Sequence, residues 1–152
     1  LAPFHINAKK RLVKSPKIYV RDSGILNALL HIKSIEQLMV YPKVGQHWEA
    51  FVIEQIYQLT NQHFDLYFYR TSHGAEVDLV LVEGITAKAV IEIKYGSNNK
   101  ISKGNNIAAD DLEVEHKYLV HANEEANQWQ NEKGWIICSL QDFLANQLPT
   151  LI

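Results

Sequence analysis

The sequence predicts an α/β domain built on a mixed sheet with helices on both sides. Three observations predict it. The apparent element order is helix, three strands, a loop or helix, strand, strand, helix. The segments "KYLVHA" and "GWIICS" are apolar on both faces, which suits a sheet covered above and below. The 152 residues are 47% hydrophobic, enough for one domain with a real core.

The opening "LAPFHINAKKRLVKSPK" has little periodicity and reads as a connector. "KIYVR" follows as a short strand, and "DSGILNALLHI" as a helix capped by Asp22 or Ser23. "SIEQLMV" is a shorter helix, with Ser34 and Gln37 spaced as a capping box. Residues 1–40 therefore form a basic connector with a small helical segment, ahead of a main domain over 41–152. In "QHWEAFVIEQIYQLTNQ", Trp48, Phe51, Val52, Ile56 with Gln55, and Leu59 follow a helical period, and Glu49 lies beside that stripe. Strands are expected in "FDLYFYR", "EVDLVLV" and "AKAVIEIKY". "GSNNKISKGNN" is loop-like, and "AADDLEVEH" carries no decisive pattern. After the strands "KYLVHA" and "GWIICS", "SLQDFLANQL" closes the chain as a helix capped by Ser139 and stopped at Pro149.

Net charge is -2, unevenly spread. Residues 1–21 hold Lys9, Lys10, Arg11, Lys14, Lys17 and Arg21 and no carboxylate, so the remainder is acidic. Such a run serves either as an electrostatic footprint for nucleic acid or as a linker that docks on an acidic neighbour. Cys138 is the single cysteine, which excludes an internal disulfide and a zinc-finger set and points to a reducing, cytoplasmic setting. No apolar run approaches the roughly 18 residues of a membrane span. The first residue is Leu1 rather than methionine, as expected of a segment of a longer protein.

The informative stretch is "AEVDLVLVEGITAKAVIEIKYG". Strand alternation puts Glu76 and Asp78 on one face, and Glu92 and Lys94 on one face. A three-residue loop, Gly84 to Thr86, would place Asp78 opposite Glu92 and Glu76 opposite Lys94. A loop one residue longer or shorter would separate Asp78 from Glu92. Two facing carboxylates repel, so a shared proton, a cation or a bound Mg²⁺ or Mn²⁺ must offset them. With Lys94 alongside, these are the parts of metal-assisted phosphodiester hydrolysis. The plainer alternative is a Glu76–Lys94 ion pair, with Asp78 and Glu92 at strand ends in water.

The combination resembles the PD-(D/E)XK nuclease superfamily, with its restriction-endonuclease-like fold. That pattern is a helix glutamate, a strand aspartate, then E-x-K on the next strand. Glu49 in "GQHWEAFVIEQ", Asp78 in "EVDLVLV", and Glu92 and Lys94 in "IEIKYG" match it. A narrower resemblance covers nearly the whole chain. The blocks "KSPKIYVRDSGILNALL", "GQHWEAFVIEQI", "YFYRTSHGAEVDLVL", "VIEIKYG" and "SLQDFL" are similar to the C-terminal domain of a family of predicted bacterial and archaeal AAA+-type ATPases. That domain is catalogued as being of unknown function.

The resemblance implies a three-layer sandwich, a mixed central sheet flanked by helices, over 41–152. It implies that Asp78, Glu92 and the Ile93 backbone carbonyl bind Mg²⁺ or Mn²⁺, with Glu49 assisting. Lys94 would orient or activate the attacking water. The resemblance also implies an upstream ATP-binding domain of the same protein as partner; this chain has no G-x-x-x-x-G-K-[ST] loop and should not bind ATP that way. DNA or RNA would be the substrate; a membrane is not expected. A module that catalyses nothing, and serves the ATPase by binding nucleic acid or protein, is the competing reading, favoured by the acidic balance of residues 22–152. Arg70 and Thr71 end the strand before the hairpin, placed either to contact phosphate or to form an ion pair and a cap. His73 is expected in solvent and Trp48 and Tyr95 in the core, with Trp129 and Trp135 undecided.

Overall fold

The computed structural model describes residues 1–5, 12, 15–60, 63–96, 99–123 and 128–152. Among them a seven-stranded mixed sheet forms in the order β1-β2-β3-β4-β5-β7-β6. The strands are β1 (Ala2–Pro3), β2 (Asp65–Arg70), β3 (Glu76–Glu83), β4 (Thr86–Lys94), β5 (His116–His121), β6 (Trp129–Gln130) and β7 (Trp135–Ser139). β2, β3 and β4 are antiparallel neighbours, while β4, β5 and β7 run parallel.

Two apolar clusters flank this sheet because side chains alternate along its strands. Ala89, Ile91 and Ile93 of β4 pack with Val52, Ile53 and Ile56 of helix α3 (Val44–Thr60). Val90 points the other way, into a cluster with Leu119, Trp135, and Ala108 and Ala109 of helix α4 (Lys103–Asp111). Helices α1 (Ser23–Leu29) and α2 (Ile35–Met39) precede α3 and carry no buried residue. Asp22 caps α1, as its sequence suggests, by accepting the Ile25 N–H. Ser34 caps α2, but Gln37 accepts from the Lys33 N–H, so the expected box is displaced by one residue.

Several expectations are corrected. "KIYVR" is not a strand; Lys17 exchanges backbone hydrogen bonds with Leu1 instead, and no sheet edge takes it up. Part of the opening connector joins the sheet, with β1 parallel to β2. The buried face of α3 is Val52, Ile53, Ile56 and Thr60, whereas Phe51 and Leu59 are 38% and 54% exposed. The helix is apolar around more than one stripe, and the sheet covers only the side that also carries Glu49. The closing helix is short: α5 (Leu140–Asp142) gives way to a π-helical turn over Phe143–Gln147 and a 3₁₀ turn over Leu148–Thr150. Pro149 lies inside that last turn rather than ending the helix. Trp135 is fully buried, and Trp129 lies on the short strand β6, which the sequence did not suggest.

Helix α4 spans the loop-like "KGNN" and the undecided "AADD". Its glycine and asparagines are poor helix formers, which hid it. Ser102 caps it in a reciprocal box with Asn105. Gly104 has a packing role: a Cβ there would lie 2.4 Å from the Gly74 carbonyl oxygen. Only glycine lets α4 approach the β2–β3 turn this closely.

Candidate functional site

The β3–β4 hairpin reaches the expected register by a different route. Its turn has two residues, Gly84 and Ile85, because Glu83 pairs with Thr86. Gly84 takes the positive φ (63°) that such a turn requires. That turn alone would have misaligned Asp78 and Glu92. A bulge corrects it: Val82 pairs with Ala87 and Leu81 with Ala89, leaving Lys88 as the extra residue. Continued one step beyond Leu79–Ile91, this register brings Asp78 level with Glu92.

The pairing stops at that point. The β3–β4 ladder ends at Leu79–Ile91, while β3 continues along β2 to Glu76 and β4 along β5 to Lys94. A second irregularity, on the β2 side, sets Val77 to Val80 against only Tyr67 to Tyr69, so Asp78 sits in a bulge. Bulges bend a strand and re-aim its side chains. The two strands part, and polar side chains take over the bonds the ladder would have made. Asp78 Oδ2 accepts the Ile93 N–H at 3.0 Å. Asn105 Nδ2 donates to the Glu76 carbonyl oxygen at 2.8 Å and to Glu92 Oε2 at 2.8 Å. Its Oδ1 accepts the Ser102 N–H, so the helix cap fixes which way the amide points.

Lysines bracket the carboxylates. Lys94 Nζ donates a hydrogen bond to Glu92 Oε1. Lys17 Nζ lies 2.8 Å from Glu49 Oε1 and 3.1 Å from Asp78 Oδ1, bridging α3 to the parted strands. The Tyr19 hydroxyl donates to Glu49 Oε1 at 2.5 Å. Beside them an open cleft of about 450 Å³ is lined by Pro42, Gln46, Glu49, Asp78, Lys94 and Tyr95.

Charge in the cluster is unbalanced: Glu49, Asp78 and Glu92 face Lys17 and Lys94. Burial, with Asp78 beside it, pushes Glu92 up to about 7 against the pull of Lys94. Burial alone would lower Lys94, but Glu92, Asp78 and Glu49 outweigh it and hold the ammonium above the ordinary lysine value. Lys17 is raised in the same way, with Asp78 and Glu49 overcoming its burial. Burial and the bond to Glu49 raise Tyr19 as well.

Glu92 therefore gives the protein a pH-dependent stability. A glutamate in the unfolded chain titrates at about 4.3. Between that value and about 7 the folded chain binds the extra proton. The stabilisation is fully present below this window and is lost as pH rises through 7. In metal-free buffer, melting temperature is expected to fall by several degrees between pH 5 and pH 8, on the order of 1–2 kcal/mol. Glu92→Gln should flatten that slope in a pH series of thermal melts; an equal slope in the variant would assign it elsewhere.

The structure brings together Glu49, Asp78, Glu92 and Lys94, with the Ile93 N–H on Asp78. Glu76 does not meet Lys94; it lies 3.5 Å from Arg70, whose guanidinium is thereby engaged. Thr71 is buried and its hydroxyl accepts the Ala75 N–H, closing the β2–β3 turn. His73 is exposed, and Trp48 and Tyr95 are half-buried and stack edge to face. Lys9, Lys10, Arg11 and Lys14 of the basic run lie outside the described residues, and Arg21 pairs with Glu54. Lys17, Tyr19 and Asn105 were not singled out as site residues by sequence. Lys17 stood within the basic run, and the S-x-x-N spacing of Ser102 and Asn105 was the only sign of the other.

Among the described residues no three or more carboxylate, imidazole or thiol side chains converge as a metal set. The donor chemistry nonetheless fits a hard cation. Asp78 and Glu92 offer rigidly placed oxygens, and the Lys17 ammonium is a stand-in cation already drawn to Asp78 and Glu49. Mg²⁺ is commonly held through one or two carboxylates, keeping waters on its other positions.

The profile of a family described as "Domain of unknown function (DUF4143)" matches residues 44–143, which contain all of Glu49, Asp78, Glu92 and Lys94. The chain belongs to this family. A second profile, "Domain of unknown function (DUF8612)", matches residues 1–36, the segment that carries Lys17 and Tyr19. The site thus joins side chains from the DUF4143 region and from the segment before it. The chain is 40% identical over 124 residues to uncharacterized protein Mb2031c of Mycobacterium bovis and to uncharacterized protein Rv2008c of Mycobacterium tuberculosis. Those matches cover 82% of this chain and 28% of each relative, so it spans under a third of their length. No described helix is long and apolar enough to cross a membrane.

Proposed function

We propose that this DUF4143 chain is a nuclease-like domain that hydrolyses nucleic-acid phosphodiesters with a divalent metal, Mg²⁺ or Mn²⁺, in the service of an AAA+-type ATPase domain in the same protein. The reading includes the restriction-endonuclease-like fold and a cytoplasmic setting. The observation that carries it is the parting of β3 and β4 at Leu79–Ile91, which leaves Asp78, Glu92 and Lys94 around an opened sheet end beside Glu49. A bound metal would polarise the scissile phosphate and lower the pKa of water. Asp78 and Glu92, with the Ile93 carbonyl, would hold it, and Glu49 would assist.

The chain's own groups have distinct tasks. Lys94, hydrogen-bonded to Glu92 at the mouth of the cleft, would orient or activate the attacking water or steady a phosphate oxygen. Glu92, buried and bonded to Lys94 and Asn105, presents a fixed carboxylate to the metal, whose charge would favour its ionised form. Asn105 fixes Glu92 and bridges it to the Glu76 backbone of β3. Cleavage of several single- and double-stranded DNAs and RNAs by the full-length protein with Mg²⁺ or Mn²⁺ tests the reading. Glu92→Ala should abolish it; absence of cleavage, or cleavage that survives Glu92→Ala, would reject it.

A second reading has its own support. Lys17 occupies Asp78 and Glu49 with a protein cation, as expected of a module that binds nucleic acid or protein and catalyses nothing. Binding with a steep salt dependence, without cleavage, would favour the nucleic-acid form of it.

A further inference from the structure

Lys17 reaches the site from outside the hairpin and α3. It is 61 residues from Asp78 in sequence and 32 from Glu49. Its backbone is anchored: the Leu1 backbone nitrogen donates to the Lys17 carbonyl oxygen at 2.7 Å, and the Lys17 N–H donates to the Leu1 carbonyl oxygen at 3.0 Å. Its ammonium lies 5.5 Å from the centre of the Phe68 ring, and its side chain keeps 23% exposure. A lysine stem has four carbons and several rotatable bonds, so the ammonium can leave while the backbone stays.

We propose that Lys17 is a tethered cation that competes with a divalent metal for Asp78 and Glu49, so that the site holds one or the other. The proposal rests on the metal-binding part of the function above. Its argument is electrostatic exclusion. Asp78 offers Oδ1 to Lys17 and spends Oδ2 on the Ile93 N–H. A metal ligated by Oδ1 sits at about 2.1 Å and would face an ammonium on the same oxygen. Two cations that close repel strongly in a partly buried setting. Glu49 presents the same conflict, since its Oε1 accepts from both Lys17 and Tyr19. When the ammonium leaves, Tyr19 still holds Glu49. Lys17 thereby sets the metal affinity of a site built on the main domain.

The test measures Mn²⁺ binding to the nucleotide-free, full-length protein, read from loss of the free-ion electron paramagnetic resonance signal. Lys17→Met keeps the apolar stem against Phe68 and removes the charge. It should bind Mn²⁺ about tenfold tighter than the unaltered protein, and adding Asp78→Asn should remove that gain. Equal or weaker binding by Lys17→Met overturns the proposal. A second measurement needs no variant: saturating Mn²⁺ should raise acylation of Lys17 by an amine-reactive ester several-fold by mass spectrometry. Labelling that stays constant overturns it too. Tighter Mn²⁺ binding by Lys17→Met in a protein that cuts no nucleic acid supports competition while rejecting hydrolysis. Glu92-dependent cleavage with equal Mn²⁺ binding in both proteins rejects competition alone.

Discussion

Under the proposed hydrolysis, Asp78→Asn is expected to lower metal-dependent cleavage by about 100-fold or more, since it removes a charged oxygen that no neighbour replaces. The fold should survive. An asparagine Oδ1 can still accept the Ile93 N–H that Asp78 accepts at 3.0 Å, so the parted strands keep their bracket. Like-charge pressure on Glu92 also falls, because Asp78 is a chief cause of its raised value after burial. Lys17 keeps Glu49, 2.8 Å away, as its partner. Cleavage rates for the two proteins on one substrate, with matched circular dichroism, decide the matter. Unchanged cleavage would reduce Asp78 to a structural bracket between strands.

Trp135→Ala should have the largest effect on stability, about 3–5 kcal/mol. The indole is fully buried in the cluster on the α4 side of the sheet, among Leu119, Ala108 and Leu112. Its N–H donates to Asn106 Oδ1 at 3.0 Å, tying β7 to α4. Truncation leaves a cavity and strips Asn106 of that partner. Because α4 also carries Asn105, Glu92 should lose part of its support. Trp129 provides the contrast: at 49% exposure its replacement by alanine should change stability by about 0.5 kcal/mol or less. Urea unfolding of the two variants tests both values, and similar midpoints would contradict this account of the core.

Much of the hairpin was legible. Alternation within "IEIKYG" places Glu92 and Lys94 on one side of β4, opposite Ile91 and Ile93, and both isoleucines pack against the α3 side. The register that leads toward Asp78 and Glu92 was also readable as far as the last pair, Leu79–Ile91, but its expected cause was wrong. A three-residue loop was expected where the chain uses a two-residue turn and a bulge at Lys88. Both arrangements have the same residue count, so spacing cannot distinguish them. Glu49 lies on α3 as its pattern suggests, but the buried stripe beside it is not legible, since Phe51 and Leu59 are as apolar as the residues that are buried. Helix α4 was missed because "KGNN" has the composition of a loop. Its cap and the close approach at Gly104 outweigh weak propensity.

Local sequence carries the α/β class, the strands of the sheet's centre, the placement of Glu92 beside Lys94, and the chain's charge asymmetry. Each is a local quantity, set by period, alternation or composition. Where β3 and β4 stop pairing, and the closing of Lys17, Tyr19 and Asn105 around the gap, come from the packing of the folded chain. Those arrivals depend on how separate elements stack, and no local pattern encodes a contact such as Lys17 with Asp78, 61 residues apart. Burial then turns that geometry into chemistry, raising Glu92 toward neutrality and drawing two lysines onto three carboxylates.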